Sequence, residues 1–217
     1  MYKTVVFDLD GTLLNTLTDL ADAGNRLCRK YGWPTHERQA YRYFVGNGIP
    51  KLVERLAPAD QRTPAVLEAA LADFKRDYGQ HLRDTTAPYP GIPEMLAKLK
   101  ANGVQLAVFS NKADALAKEV VKDYFGTQYF TIVRGQMTGV APKPAAEGTN
   151  ALLQALHADP ASTLYVGDSN VDVETAHNAY LPCCGAVWGF RTREELNAAG
   201  AEYLAENSDE LYDVIMK

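Results

Sequence analysis

Two carboxylates two residues apart, Asp8 and Asp10, follow the apolar run Val5-Val6-Phe7 and precede Gly11-Thr12. The run reads as a buried strand. It delivers both acids to a poorly solvated place, where like charges repel and each is costly to bury. Three further stretches carry polar groups where apolar runs end or helices begin: Ser110-Asn111 after "LAVF", Lys143-Pro144, and Gly167-Asp168-Ser169 with Asp172 close behind. In an open α/β sheet such ends face one crevice beyond the carboxyl edge of the strands. Asp168 adds a third carboxylate and Lys143 one positive charge, so negative charge remains in excess. A hard divalent cation, Mg²⁺ first among them, resolves that excess and keeps room for waters and a substrate phosphate. The Ser110 hydroxyl, turn amides and Lys143 suit phosphoryl oxygens. A carboxylate such as Asp8 can attack phosphorus and form an aspartyl-phosphate. A second carboxyl, Asp10, can protonate the leaving oxygen and then activate water.

The elements that must position these groups alternate after residue 90. Helical spacing at 93–101, 112–124, 145–157, 170–180, 193–199 and 209–216 alternates with strand-like runs at 104–110, 129–133, 162–168, 183–189 and 201–205. This rhythm predicts a doubly wound parallel α/β sheet with strands buried on both faces. Residues 16–85 break it. Leu17, Leu20, Gly24, Leu27 and Tyr31 recur at three- and four-residue spacing, with Thr16 and Asp19 as a prospective capping box. Helical patterns follow at 37–44, 49–56 and 64–82. The expected organisation is an α/β core of residues 1–14 and 87–217 with an all-helical insert, residues 15–86. The turn-rich "DTTAPYPG" (84–91) is the return connection.

The chain has 217 residues, 47% of them hydrophobic, and a net charge of −5. It has no basic run, which argues against nucleic acid or an acidic membrane as partner. No apolar run approaches the ~20 residues that span a bilayer. Cys28, Cys183 and Cys184 form neither a disulfide framework nor a zinc pattern, and a soluble cytoplasmic protein is expected. His36, His81, His157 and His177 show no metal spacing.

"DLDGTL", the strand-end "SN", "KP" and "GDSNVD", in this order, resemble the haloacid dehalogenase superfamily over essentially the whole chain. The helical insert resembles that of its type-one cap phosphatases, the phosphoglycolate phosphatases most closely. The resemblance implies Asp8 as nucleophile and Asp10 as general acid/base. It implies Mg²⁺ held by the carboxylates of Asp8 and Asp168 and the main-chain carbonyl of Asp10, with Asp172 acting through water or by orienting Asp168. Thr12, Ser110, Asn111 and Lys143 would hold the phosphoryl group. Gly46, Asn47 and Gly48 of the cap would touch a small phosphorylated metabolite, and the chain would be a monomer or weak dimer. A sugar phosphomutase of the β-phosphoglucomutase type is disfavoured because Ile49 stands where those relatives carry Arg. A dehalogenase is disfavoured because Asp10 is present, and a catalytically silent binding protein because every catalytic position is filled. Asn15, Thr16 and the Ala179-Tyr180 helix end depart from the family pattern. Asp172 also reads as the far half of a capping box with Ser169, and the two roles are compatible.

Overall fold

Val5, Val6 and Phe7 lie in β1 (Thr4–Phe7), whose four residues are all buried in the computed structural model, which describes Met1–Lys217. A two-residue strand, β2 (Leu14–Asn15), leads into α1 (Leu17–Tyr31), α2 (Arg38–Phe44), α3 (Ile49–Leu56) and α4 (Pro64–His81). The return passes through β3 (Ala87–Pro88), which pairs with β2 as a separate two-stranded ribbon. The alternating part follows: α5 (Ile92–Ala101), β4 (Gln105–Ala113), α6 (Asp114–Phe125), β5 (Phe130–Gln136), α7 (Ala146–Leu156), β6 (Thr163–Gly167), α8 (Asn170–Asn178), β7 (Cys183–Ala186), α9 (Arg193–Ala199), β8 (Tyr203–Ala205) and α10 (Ser208–Met216). The chain divides into two compact units, Met1–Leu14 with Pro88–Lys217, and Asn15–Ala87.

The first unit is the doubly wound α/β sheet. Its strand order is β5-β4-β1-β6-β7-β8, and every neighbouring pair is parallel. The chain builds outward from β1 on one side, then restarts on the other with β6. The order therefore reverses at β1, and the crevice that binds ligands in such sheets opens beside that strand. Strand alternation sends Val6, Ala107 and Tyr165 to the face covered by Leu152, Leu153 and Leu156 of α7, Val173 of α8 and Leu196 of α9. On the other face Phe7 meets Phe130 edge-on, and Phe130 meets Phe125 of α6. Both faces are thus covered, as all-parallel sheets require. None of the helices is long and apolar enough to cross a membrane.

The second unit is all helical apart from single residues of the ribbon. α1 stops at Gly32, whose left-handed backbone (φ 67°) forms the C-cap. Two expectations are corrected here. Thr16 and Asp19 do not form a capping box: the Thr16 hydroxyl makes no hydrogen bond, and Asp19 is engaged elsewhere. Its carboxylate accepts from the main-chain N–H and the hydroxyl of both Thr85 and Thr86, which ties the first turn of α1 to the return segment. The long-range partner offers four donors where the local cap offers two. The second correction concerns β4, which runs on through Ser110, Asn111 and Lys112 to Ala113 instead of giving way to a helix at 112. A register shift between Phe109 and Ala113 lets the strand end pair again with Gln136 of β5, a long-range contact that local helical spacing cannot show.

Candidate active site

The polypeptide after β1 turns sharply. The Leu9 carbonyl accepts from the N–H groups of Thr12, Leu13 and Leu14, and Gly11 takes φ +90°. Glycine is required there twice over: the backbone is left-handed, and a Cβ would lie 2.3 Å from Asp168 Oδ2. Gly189 is constrained by space alone, because a Cβ there would run into Asp168 and the Gly11 carbonyl. Main chain thus closes around the Asp168 carboxylate from two directions.

Asp8, Asp168 and Asp172 each place a carboxylate oxygen within 4.8 Å of the others, and all three are buried. Asp168 Oδ1 accepts from the Thr12 hydroxyl at 3.1 Å and Oδ2 from the Phe190 N–H at 2.7 Å. Asp172 Oδ2 accepts from the Ser169 N–H and hydroxyl, completing the capping box of α8, while Oδ1 accepts from Lys143 at 2.7 Å. One oxygen of this carboxylate therefore serves the cap while the other holds the Lys143 ammonium.

Lys143 Nζ sits between Asp172 and Asp8, 2.9 Å from Asp8 Oδ1, and also donates to the Tyr165 hydroxyl and the Phe109 carbonyl. Asp8 Oδ1 is held by that ion pair and has no further hydrogen-bond partner. Burial pushes the Asp8 carboxyl up to about 7, against the pull of Lys143 and with the push of Asp172. Burial and the charges of Asp172 and Asp8 also hold Asp168 well above the ordinary carboxylate range. Lys143 is desolvated as well, but the two carboxylates outweigh that and raise its pKa well above the usual lysine value.

Asp10 stands apart from this triad. Both its carboxylate oxygens accept from Lys112 Nζ, at 2.9 and 3.2 Å, and the Lys112 side chain is only 2% exposed. The two acids of one strand end therefore carry separate ammonium partners. Asp8, Asp10, Asp168 and Asp172 against Lys112 and Lys143 leave two negative charges uncompensated. Burial beside one another raises the Asp8 and Asp168 carboxyls, the direction expected of acids that share one poorly solvated place. An all-oxygen donor set with an excess charge of two fits a hard divalent cation.

Ser110 is buried, and its Oγ accepts from the Lys112 N–H at 3.2 Å, which leaves its hydrogen to donate. Thr12 and Asn111, expected as phosphate contacts, use side-chain groups on other site residues. The Thr12 hydroxyl is on Asp168, and the Asn111 amide makes a reciprocal pair with the Lys143 main chain, accepting its N–H at 2.9 Å and donating to its carbonyl at 3.3 Å. Gly46, Asn47 and Gly48 form the α2–α3 turn of the helical unit. The two glycines have positive φ, and Asn47 Oδ1 accepts from Arg55. Lys112, Tyr165, Trp188 and Phe190 join the site without having been singled out from the sequence. Trp188 donates its indole N–H to the Thr12 carbonyl at 3.0 Å. A buried tyrosine in "LYVGD" and a lysine beside "SN" were visible signals. The Phe190 main-chain N–H had none, because 183–189 reads as one strand where β7 ends at Ala186.

Known proteins resemble this chain in sequence and in fold. The chain is 31% identical over 216 residues to a phosphoglycolate phosphatase of Chromobacterium violaceum, covering 98% of this chain and 96% of that one. It is 31% identical over 191 residues to a phosphoglycolate phosphatase of Thiobacillus denitrificans, covering 87% and 84%. A crystal structure from Lactobacillus delbrueckii subsp. bulgaricus, provisionally assigned as a phosphoglycolate phosphatase, superimposes with a TM-score of 0.93 at 28% identity over 99% of this chain and 98% of that chain. Residues 5–186, which run from β1 through β7 and hold all four carboxylates and both lysines, match the family model of haloacid dehalogenase-like hydrolases, and the chain belongs to that family.

Proposed function

We propose that the protein is a Mg²⁺-dependent phosphatase that hydrolyses a small phosphate monoester, phosphoglycolate first among the candidates, through a phosphoryl group carried on Asp8. The observation that carries this reading is the separation of Asp8 and Asp10. They are two residues apart, yet one lies in the acidic triad beside Lys143, and the other is paired with Lys112. Two carboxyl groups in different environments can take different roles. The names of the relatives support the substrate class.

Asp8 attacks phosphorus, and the bond from phosphorus to the leaving oxygen breaks as Asp10 gives that oxygen a proton. Asp10 then takes a proton from water, the water oxygen bonds to phosphorus, and the bond to Asp8 breaks. Inorganic phosphate leaves and Asp8 is regenerated. Ser110 donates its hydroxyl hydrogen to a phosphoryl oxygen, and Lys143 offsets charge on Asp8 and on the phosphoryl group. Asn111 holds the Lys143 main chain, and Thr12 holds Asp168, so both serve the phosphoryl site at one remove. Asp8, Asp168 and the Asp10 carbonyl would hold Mg²⁺, with Asp172 orienting the set. The ion would supply charge neutralisation between the nucleophile and a dianionic substrate.

A panel of phosphate monoesters ranked by kcat/KM, with and without EDTA, tests the activity. Acid quenching followed by peptide mapping tests the intermediate. The expected result is Mg²⁺-restored turnover and a phosphorylated Asp8 peptide that is absent in Asp8→Asn. Full activity after chelation, or phosphate on another residue, overturns the reading.

A further inference from the structure

We propose that Lys112 is a positioning residue that fixes the Asp10 carboxylate for its proton transfers, as a second lysine distinct from the one beside Asp8. The inference rests on the reading of Asp10 as general acid/base. It starts from the unexpected extension of β4. β1 and β4 are parallel neighbours with Phe7 opposite Val108. Continuing β4 as strand past Ser110 carries Lys112 alongside the turn that holds Asp10, whereas a helix starting at residue 112 would carry the side chain along another axis. Lys112 Nζ then meets both oxygens of Asp10, which removes the rotational freedom about the carboxylate that a single contact would leave.

Burial makes the arrangement rigid. The side chain of Lys112 is 2% exposed and that of Asp10 15%. A lysine in solvent has a long stem with much rotamer freedom; this one has little room to swing. The Lys112 N–H in turn contacts Ser110 Oγ, so the same residue links the proton-transfer group to the predicted phosphoryl contact. Proton transfer needs the donor oxygen within hydrogen-bond reach of the reacting oxygen. Displacement by about 1 Å can cost on the order of 100-fold in rate.

The variants Lys112→Met, Lys112→Arg, Asp10→Asn and the Lys112→Met/Asp10→Asn pair test this in the Mg²⁺-loaded full chain. Binding of inorganic phosphate is measured by calorimetry beside steady-state kinetics. Lys112→Met is expected to lower kcat for an alkyl phosphate by about 10-fold or more, with KM within about 3-fold. Lys112→Arg regains part of the loss, and phosphate affinity stays within about 3-fold in both. In the Asp10→Asn background Lys112→Met costs nothing further, because its effect runs through Asp10. A full additional loss in that background, or phosphate affinity weakened about 10-fold or more, overturns the positioning role and makes Lys112 an independent or direct phosphoryl contact. Near-wild-type turnover by Asp10→Asn alone overturns the underlying reading of Asp10. That single variant therefore tells the two failures apart.

Discussion

Replacing Asp8 by Asn should stabilise the metal-free protein, and the gain should grow with pH. The folded state raises the Asp8 carboxyl from 3.8 to about 7 because burial outweighs the attraction of Lys143. A raised carboxyl binds its proton more tightly in the native than in the unfolded chain. Native protein therefore holds more protons across the window from 3.8 to about 7, and stability falls as pH rises through it. Below that window the group costs nothing. Above it the full penalty applies, about 4 kcal/mol at about 1.4 kcal/mol per pH unit. At about pH 5 the same relation leaves less than half of that penalty. Asn keeps the shape and removes the charge, and Lys143 retains Asp172 at 2.7 Å. Urea unfolding in EDTA at about pH 5 and about pH 8 should then show Asp8→Asn more stable than wild type at both, with an advantage larger by roughly 2–3 kcal/mol at the higher pH. Saturating Mg²⁺ should favour wild type and shrink the difference. A variant less stable than wild type at about pH 8 in EDTA, or an advantage that does not change with pH, would refute the argument. It would mean that the ion pair with Lys143, and not desolvation, dominates at Asp8.

Two further outcomes follow from the same geometry. Asp19→Ala should destabilise the helical unit by about 3 kcal/mol or more in urea unfolding, because four donors on Thr85 and Thr86 lose a buried charged acceptor; a loss below about 0.5 kcal/mol would show that water replaces the carboxylate there. Gly11→Ala should weaken Mg²⁺ binding in a calorimetric titration by about 10-fold or more, since the new Cβ would displace the Asp168 carboxylate and sit at φ +90°; unchanged affinity would show that the turn relaxes without moving Asp168.

What the sequence determined by itself is the class of fold and the cast of the site. Alternating apolar runs and helical spacings require a parallel sheet, because a run with no polar face must be buried on both sides. Acids and a lysine at the ends of such runs are legible because polar groups in apolar surroundings need a partner or a ligand. Asp8, Asp10 and Asp168 with Lys143 were readable on those grounds, whereas a place for Asp172 beside them came only from the family resemblance, and it is Asp172, not Asp10, whose carboxylate joins Asp8 and Asp168. The tertiary structure alone decided who partners whom. Asp19 was readable as half of a local cap, but two threonines 66 and 67 residues away supply more donors. Lys112 had the spacing of a helix start, and only pairing with β5 keeps it on a strand and aims it at Asp10. Thr12 and Asn111 were placed correctly in the turns and ends of the strands, but their side chains are taken by Asp168 and Lys143. The N–H of Phe190 reaches Asp168 through main chain, to which side-chain identity gives no clue. Periodicity and residue type are local quantities, whereas a hydrogen-bond partner is settled by competition among all groups that the fold brings within about 3 Å.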